Sequence, residues 1–337
     1  MKINIAIIGA SGYTGAELIR LLLTHPSTNI SVLTGDSQAG KEISEVYPHL
    51  IFKGLPKLIS IEQADFSKID LVFCCLPHGT TQKVIAGLPK HVRIIDLSAD
   101  FRLHNVETYA KWYGHAHEAV ELQKTAIYGL TEHAREKIRN ARLVANPGCY
   151  PTGAIALIRP LVDAGIVPAD WPLTVNAVSG YSGGGKSMIE SYEVSKTAPS
   201  FELYGLGLEH KHVPELIAYG HLERRPIFVP SVGNFKQGML VSVPIHLDGL
   251  PGKPRIKDIE AALAKHYTGS DNVRVIANAA SQTRLEAETL NDTDKLELFV
   301  FGKDALNHAL LVARLDNLGK GAAGAAVQNL QLMLGLI

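Results

Sequence analysis

The chain has 337 residues, 46% of them hydrophobic and 20% charged, which gives a full core and a length suited to two domains. Lysine plus arginine and aspartate plus glutamate each number 33, so no charge excess points to nucleic acid or to a membrane surface as partner. Three cysteines, two of them adjacent (Cys74 and Cys75), make no disulfide framework and fit a reducing, cytoplasmic setting.

The start, residues 1–9, resembles a signal peptide only superficially: its apolar part is too short and runs straight into a glycine turn. No stretch offers the ~20 apolar residues of a membrane helix. Residues 3–8 read as a buried parallel strand, and residues 16–24 as a helix with Leu18, Leu21 and Leu22 on one face. Further strands are expected at 30–33, 70–75 and 92–96, with a helix at 80–87. This alternation predicts βαβ units and a parallel sheet lasting to residue 145. Beyond Cys149 the strand-like runs at 173–179, 227–230, 239–247, 273–277 and 296–302 are less regularly interleaved, as in a mixed or antiparallel sheet. Helices are expected at 256–266 and, rich in alanine, at 320–336. The expected fold is α/β: a Rossmann-type nucleotide domain (1–148 and 317–337) and an α+β substrate domain (149–316), with the C-terminal helix returning to the first domain.

Between the first strand and helix stands Gly9-Ala10-Ser11-Gly12-Tyr13-Thr14-Gly15. Glycines there permit a tight turn and let the backbone approach a pyrophosphate that the helix N-terminus attracts. An ordinary glycine-rich turn is the alternative. After the second strand, Asp36 suits the ribose of NAD, whereas Ser37, Gln38 and Lys41 suit the 2′-phosphate of NADP. Leu76-Pro77-His78-Gly79 and Asp96-Leu97-Ser98-Ala99-Asp100-Phe101-Arg102 end two other strands, where ligands of parallel sheets gather. Arg102 is either a carboxylate clamp or an ion pair.

Asn146-Pro147-Gly148-Cys149-Tyr150-Pro151-Thr152 presents a cysteine at a strand-to-helix turn. The helix N-terminus favours a thiolate, which attacks acyl carbons and leaves well; a buried structural cysteine is the competing reading. His210-Lys211-His212-Val213-Pro214-Glu215 gathers two histidines and a carboxylate, suited to acid/base work or, on a strand, to part of a metal site, though no third ligand stands out. Gly180-Tyr181-Ser182-Gly183-Gly184-Gly185-Lys186-Ser187 matches the P-loop pattern of ATP-dependent enzymes. Without a clear magnesium-binding aspartate strand, 310–316 being the weak candidate, its backbone N–H groups and lysine read instead as an anion site.

Taken in order, Gly9 to Gly15, Cys75 to Gly79, Asp96 to Arg102, Tyr128 to Glu132, Asn146 to Thr152, Ser179 to Lys186, His210 to Glu215 and Asp316 to Gly324 resemble the N-acetyl-γ-glutamyl-phosphate reductases, relatives of the aspartate-semialdehyde dehydrogenases. The resemblance covers essentially the whole chain. It implies reduction of an acyl phosphate to an aldehyde with NADPH, through a cysteine thioester and with release of phosphate, in arginine biosynthesis. Cys149 would be the nucleophile and His212 the acid/base, with Glu215 behind it and His210 as the alternative. Cofactor contacts would come from Gly9, Ser11, Gly12, Tyr13, Thr14, Gly15, Ser37, Pro77, Ser182, Gly183 and Asn317. Substrate contacts would come from Ser98, Arg102, Asn146 and Lys186. No metal, nucleic acid or membrane is implied; a homo-oligomer, dimer or tetramer, is. Many relatives carry Ser-Arg where Gly35 and Asp36 stand here, which leaves the choice between NADP and NAD open at this point.

Overall fold

The computed structural model describes residues 2–52 and 54–337; Met1, the first residue of the start weighed as a signal peptide, and Lys53 lie outside the described residues. The chain divides into two compact units, Met1–Pro147 with Ala322–Ile337, and Gly148–Gly321.

The first unit is built on seven strands: β1 (Ile3–Ile8), β2 (Thr28–Thr34), β3 (Leu58–Ile59), β4 (Leu71–Cys74), β5 (Arg93–Asp96), β6 (Ile127–Tyr128) and β7 (Leu143–Ala145). Every pairing among them is parallel, in the order β3-β2-β1-β4-β5-β7-β6. The chain moves outward from β1 to β3, then crosses back to place β4 on the other side of β1. The crevice at the carboxyl ends of β1 and β4 is therefore the topological switch point, where ligands of such sheets bind. Near-continuous apolar strands fit a sheet covered on both faces. On one face the Tyr13–Leu23 helix and the last helix, Gly324–Met333, share a core: Ile5 and Ile7 meet Leu18, Ile19, Leu22, Ala326, Leu330 and Met333. Arg93, entering β5, donates to the carbonyls of Met333, Arg139 and Ala141 and so ties that last helix to the sheet. The final helix is shorter than the 320–336 expected. Gly319–Ala323 forms a wide π turn instead, since Gly321 is drawn into close packing described below.

The second unit carries a mixed sheet: β8 (Thr174–Gly180), β9 (Phe201–Leu203), β10 (Ile227–Gly233), β11 (Met239–His246), β12 (Val273–Val275), β13 (Leu296–Lys303) and β14 (His308–Leu315), ordered β12-β13-β14-β11-β8-β10-β9. The β8–β10 and β12–β13 pairs are parallel, the remaining pairs antiparallel. Alternation gives the sheet two faces. Met239, Val241 and Val243 on β11, with Leu311, Ala313 and Leu315 on β14, are buried; the Cys149–Asp163 helix packs on these strands and the Ile256–His266 helix on β12 and β13 beside it. The alternate residues Leu240, Ser242, Leu310 and Val312 line a cavity of about 750 Å³ on the opposite face.

Candidate active site

The glycine loop after β1 has the geometry a dinucleotide needs. Gly9 has a φ of +81°, and a Cβ there would lie 2.8 Å from the Cys75 carbonyl oxygen. A Cβ on Gly15 would lie 2.6 Å from the Gly9 oxygen, so only glycine allows the helix to start this close to the strand. Gly12 is the helix N-cap and offers no side-chain cap, which leaves the helix start open to an anion. Ser11 is fixed through its carbonyl, which accepts from Tyr47 at 2.9 Å, while Tyr13 and Thr14 open the helix with the Tyr13 ring edge-on to Tyr47. Ser37 is exposed on the short turn Asp36–Gln38. The Asp36 carboxylate accepts from the Ile61 N–H at 2.9 Å, and Lys41 donates to Gln38 at 2.8 Å.

Across the switch point, the Pro77–Gly79 loop is pinned from below. Asp100 accepts from the Gly79 N–H at 2.7 Å, from the Thr81 hydroxyl at 2.7 Å and from Tyr109 at 3.1 Å. Ser98 donates to Asp96 at 2.7 Å and accepts from the Asp100 N–H at 3.1 Å, so its hydroxyl belongs to this buried network. Burial raises the Asp96 carboxyl to about 7 against the opposing Ser98 bonds. Arg102 is buried; its Nε donates to the Asn146 carbonyl at 2.8 Å and its Nη2 to the Leu97 carbonyl at 3.3 Å. The Asn146 side chain donates to the Ala322 carbonyl at 3.0 Å and accepts from Asn329 at 3.1 Å. The first unit thus fixes the turn before Gly148 by several independent bonds.

Cys149 is the first residue of the Cys149–Asp163 helix, with Gly148 as an extended N-cap. Thr152 donates both its N–H (3.0 Å) and its hydroxyl (2.9 Å) to the Gly148 carbonyl, closing the first turn despite Pro151. A Cβ on Gly321 would lie 2.9 Å from the Cys149 Cβ, so a bare backbone flanks the sulfur-bearing side chain. The other two cysteines are unsuited to ionise: burial, then the Asp96 charge, push the Cys74 and Cys75 thiols up.

Glu215 is 1% exposed and accepts from the Gly148 N–H at 3.0 Å. Its other oxygen lies 4.0 Å from His212 Nε2. One buried carboxylate therefore links the cap of the cysteine helix to a histidine. The His-x-His pair stands not on a strand, as a metal site there would require, but on the turn into the Val213–Tyr219 helix, which His212 caps and which takes Pro214 in its first turn. No group of three or more His, Cys, Asp or Glu side chains able to hold a metal occurs among the described residues. His210 Nδ1 accepts from the His212 N–H at 3.1 Å. Burial, then the neighbouring Lys211, lower His210 to about 4.

The second glycine loop departs from expectation. The N–H groups of Gly180, Tyr181 and Ser182 donate to the carbonyls of Gly238, Phe235 and Lys236 at 2.9, 2.9 and 3.0 Å, so they do not form a phosphate cradle. The helix that follows, Gly185–Ile189, has five residues, and Lys186 is exposed, 3.7 Å from Glu190. The Asp316 carboxylate, the expected magnesium ligand of a P-loop enzyme, accepts from Gln237, the Asp292 N–H and the Leu318 N–H. The P-loop reading fails on these three counts. Asn317 braces the loop instead: it donates to Ser182 at 2.8 Å and accepts from the Gly238 N–H at 2.8 Å, with Gly183 against it. Sequence reasoning passed over Tyr204, which matters only through distant residues brought against it. Gly321 stood in the glycine-rich stretch Asp316 to Gly324, but nothing in the sequence marks Cys149 as what it packs against.

A dinucleotide-type glycine loop in the first unit and, in the second, a cysteine on a helix N-terminus linked through a buried carboxylate to a histidine are the parts expected of a nicotinamide-dependent reductase of the semialdehyde dehydrogenase class. Family models agree: residues 4–141 match the semialdehyde dehydrogenase NAD-binding domain and residues 149–317 the semialdehyde dehydrogenase dimerisation domain. Aspartate semialdehyde dehydrogenase II from Vibrio cholerae has the same fold, with a TM-score of 0.72 at 17% identity over 99% of both chains. Aspartate semialdehyde dehydrogenase with NADP from Candida albicans aligns at a TM-score of 0.66 and 15% identity, again over 99% of both. N-acetyl-γ-glutamyl-phosphate reductase from Brucella anthropi is 43% identical over 100% of both chains. That of Rhodobacter capsulatus is 42% identical over 100% of this chain and 96% of its own. A probable chloroplastic N-acetyl-γ-glutamyl-phosphate reductase from Oryza sativa is 43% identical over 99% of this chain and 80% of its own. The chain belongs to the N-acetyl-γ-glutamyl-phosphate reductase family.

Proposed function

We propose that this chain reduces N-acetyl-γ-glutamyl phosphate to N-acetylglutamate 5-semialdehyde with NADPH, releasing inorganic phosphate, as a phosphorylating semialdehyde dehydrogenase of arginine biosynthesis. The observation that carries the reading is Glu215, buried between the Gly148 N–H and His212. It holds nucleophile and base in one frame, and its negative charge favours a protonated His212.

The roles of the chain's residues follow from that frame. His212 takes the Cys149 thiol proton, and the N-terminal pole of the helix stabilises the thiolate. The thiolate attacks the acyl carbon, and the bond from that carbon to the phosphate oxygen breaks. His212 returns its proton to the departing phosphate, leaving a thioester on Cys149. When bound, the nicotinamide supplies the hydride. The resulting oxyanion forms at the helix start, where the field favours negative charge. As the C–S bond breaks, its electron pair returns to sulfur and the aldehyde leaves. A thioester accepts hydride where an oxygen ester would do so poorly, which is why the nucleophile is a cysteine.

The cofactor fits the first unit because Gly9 and Gly15 let the turn pack tightly, Gly9 against the Cys75 backbone and Gly15 against Gly9, which brings an uncapped helix N-terminus to the switch point. NADP is favoured over NAD by the engagement of Asp36. Its carboxylate accepts the Ile61 N–H, which leaves exposed Ser37 and Lys41 to meet a 2′-phosphate. Lys186 is exposed and suited to the departing phosphate or the substrate carboxylate. The apolar face of the second unit's sheet is suited to self-association, as the name of the matched dimerisation domain suggests.

Following NADPH and NADH oxidation with N-acetyl-γ-glutamyl phosphate and with aspartyl phosphate tests the reading. Turnover is expected with the N-acetylated substrate and NADPH, and Cys149→Ser is expected to lose at least about a thousandfold in kcat. Equal turnover of aspartyl phosphate, or near-normal Cys149→Ser activity, would overturn it.

A further inference from the structure

The hydrogen bonds that begin at His210 have one permitted direction. His210 Nδ1 accepts from the His212 backbone N–H at 3.1 Å, and the Tyr204 hydroxyl lies 3.4 Å from His210 Nε2. A neutral imidazole carries one proton, so with Nδ1 accepting, Nε2 must hold it. Tyr204 then accepts from His210 and donates to the Tyr150 hydroxyl at 3.2 Å. Tyr150 in turn donates to the Ser231 carbonyl in β10 at 3.0 Å. The series ends on a backbone oxygen that has no proton to give.

We propose that His210 is a positioning residue, held as the neutral Nε2–H tautomer by the His212 N–H that its Nδ1 accepts, with Tyr204 accepting at Nε2, and that it fixes the backbone of His212 so that His212 alone moves the proton at Cys149. The inference rests on the function proposed above. His210 can act as a base only by protonating Nδ1, which would set an N–H against the His212 N–H. It can act as an acid only by becoming an imidazolate. Its surroundings oppose a charge. The Phe228 ring stands 5.1 Å away and the Tyr150 ring 6.0 Å, both edge-on, and Lys211 adds a like charge beside it. The titratable groups around it are Lys211, His212, Tyr204 and Tyr150, with Cys149 acting on both tyrosines. His212 differs: Glu215 is 4.0 Å from its Nε2 and stabilises an imidazolium.

Nitrogen-15 NMR of the histidines in the full chain reads the tautomer without any turnover. His210 is expected as the Nε2–H form, without titrating between roughly pH 5 and 8. A midpoint inside that window, or an Nδ1–H form, would overturn the proposal. Tyr204→Phe removes the partner of Nε2 but leaves the His212 N–H against Nδ1, so the Nε2–H form is expected to persist; a move of the population to the Nδ1–H form counts against the proposal. In kinetics, His210→Asn places an amide oxygen where Nδ1 accepts. It is expected to keep kcat within about tenfold with its pH profile unmoved, while His212→Asn loses about 10²–10⁴-fold. Loss of the pH-profile limb in His210→Asn, with the limb kept in His212→Asn, would reverse the two roles. If the protein turns over no acyl phosphate at all, the proposed function fails, and the NMR result still decides the state of His210.

Discussion

At the scale of single residues the site depends on what is absent beside the sulfur. A Cβ on Gly321 would stand 2.9 Å from the Cys149 Cβ and 3.1 Å from the Asp316 carbonyl oxygen. Neither neighbour is the end of a flexible side chain, so Gly321→Ala must displace the cysteine, the loop or both. A misplacement of about 1 Å at a reacting atom costs up to about a hundredfold in rate. Gly321→Ala is therefore expected to lower kcat at least about tenfold while changing the thermal midpoint by only a few degrees. Steady-state kinetics beside a melting curve checks this; unchanged kcat would show that the loop yields freely. The bracing asparagine and the buried aspartate network act in the same manner at other positions. Asn317 holds two loops together, and Asp100 holds the Pro77–Gly79 loop from beneath.

At the scale of elements the Cys149–Asp163 helix is the part that joins chemistry to fold. Its Gly153 lies so close to the sheet that a Cβ would be 2.9 Å from Val241 and 3.2 Å from Leu315. Gly153→Val would overpack that contact, at a cost of about 1–3 kcal/mol, and the thermal midpoint is expected to fall by several degrees. An unaltered melting curve would mean that the helix can lift from β11 without penalty. The strand-turn-helix that presents Cys149 was legible in the sequence because an apolar run, a Pro-Gly pair and a helical period stood in line. The glycine loop after β1 was legible for the same reason. The two-residue strands β3 and β6 were not, since so short a run carries no period, and three-residue β9 is defined only by its partner β10. The 180–186 loop was legible as glycine-rich, but the sequence could not tell that the 235–238 segment would take its N–H groups. The order of donors from His210 to Ser231 was hidden as well, because Tyr204 and Tyr150 are 54 positions apart.

At the scale of the whole molecule the second unit's sheet leaves one face to be accounted for. Its helix-covered face is closed, whereas the other carries Phe201 at 56%, Leu203 at 49% and Leu310 at 38% exposure around the cavity of about 750 Å³. A contiguous apolar patch of this kind is disfavoured in water and marks an association surface. The face is formed by strands of a unit whose matched family model is a dimerisation domain, so a second copy of this chain is the expected occupant. In a two-fold pair the same patch meets itself, and a charge placed in it is buried twice without a partner. Leu310→Asp is expected to dissociate the assembly to monomers, with the circular dichroism spectrum of the folded chain retained. Light scattering coupled to size exclusion would measure the mass of both proteins at matched concentration. A wild-type monomer, or a Leu310→Asp protein with unchanged oligomeric mass, would place the interface elsewhere and leave this face to another partner.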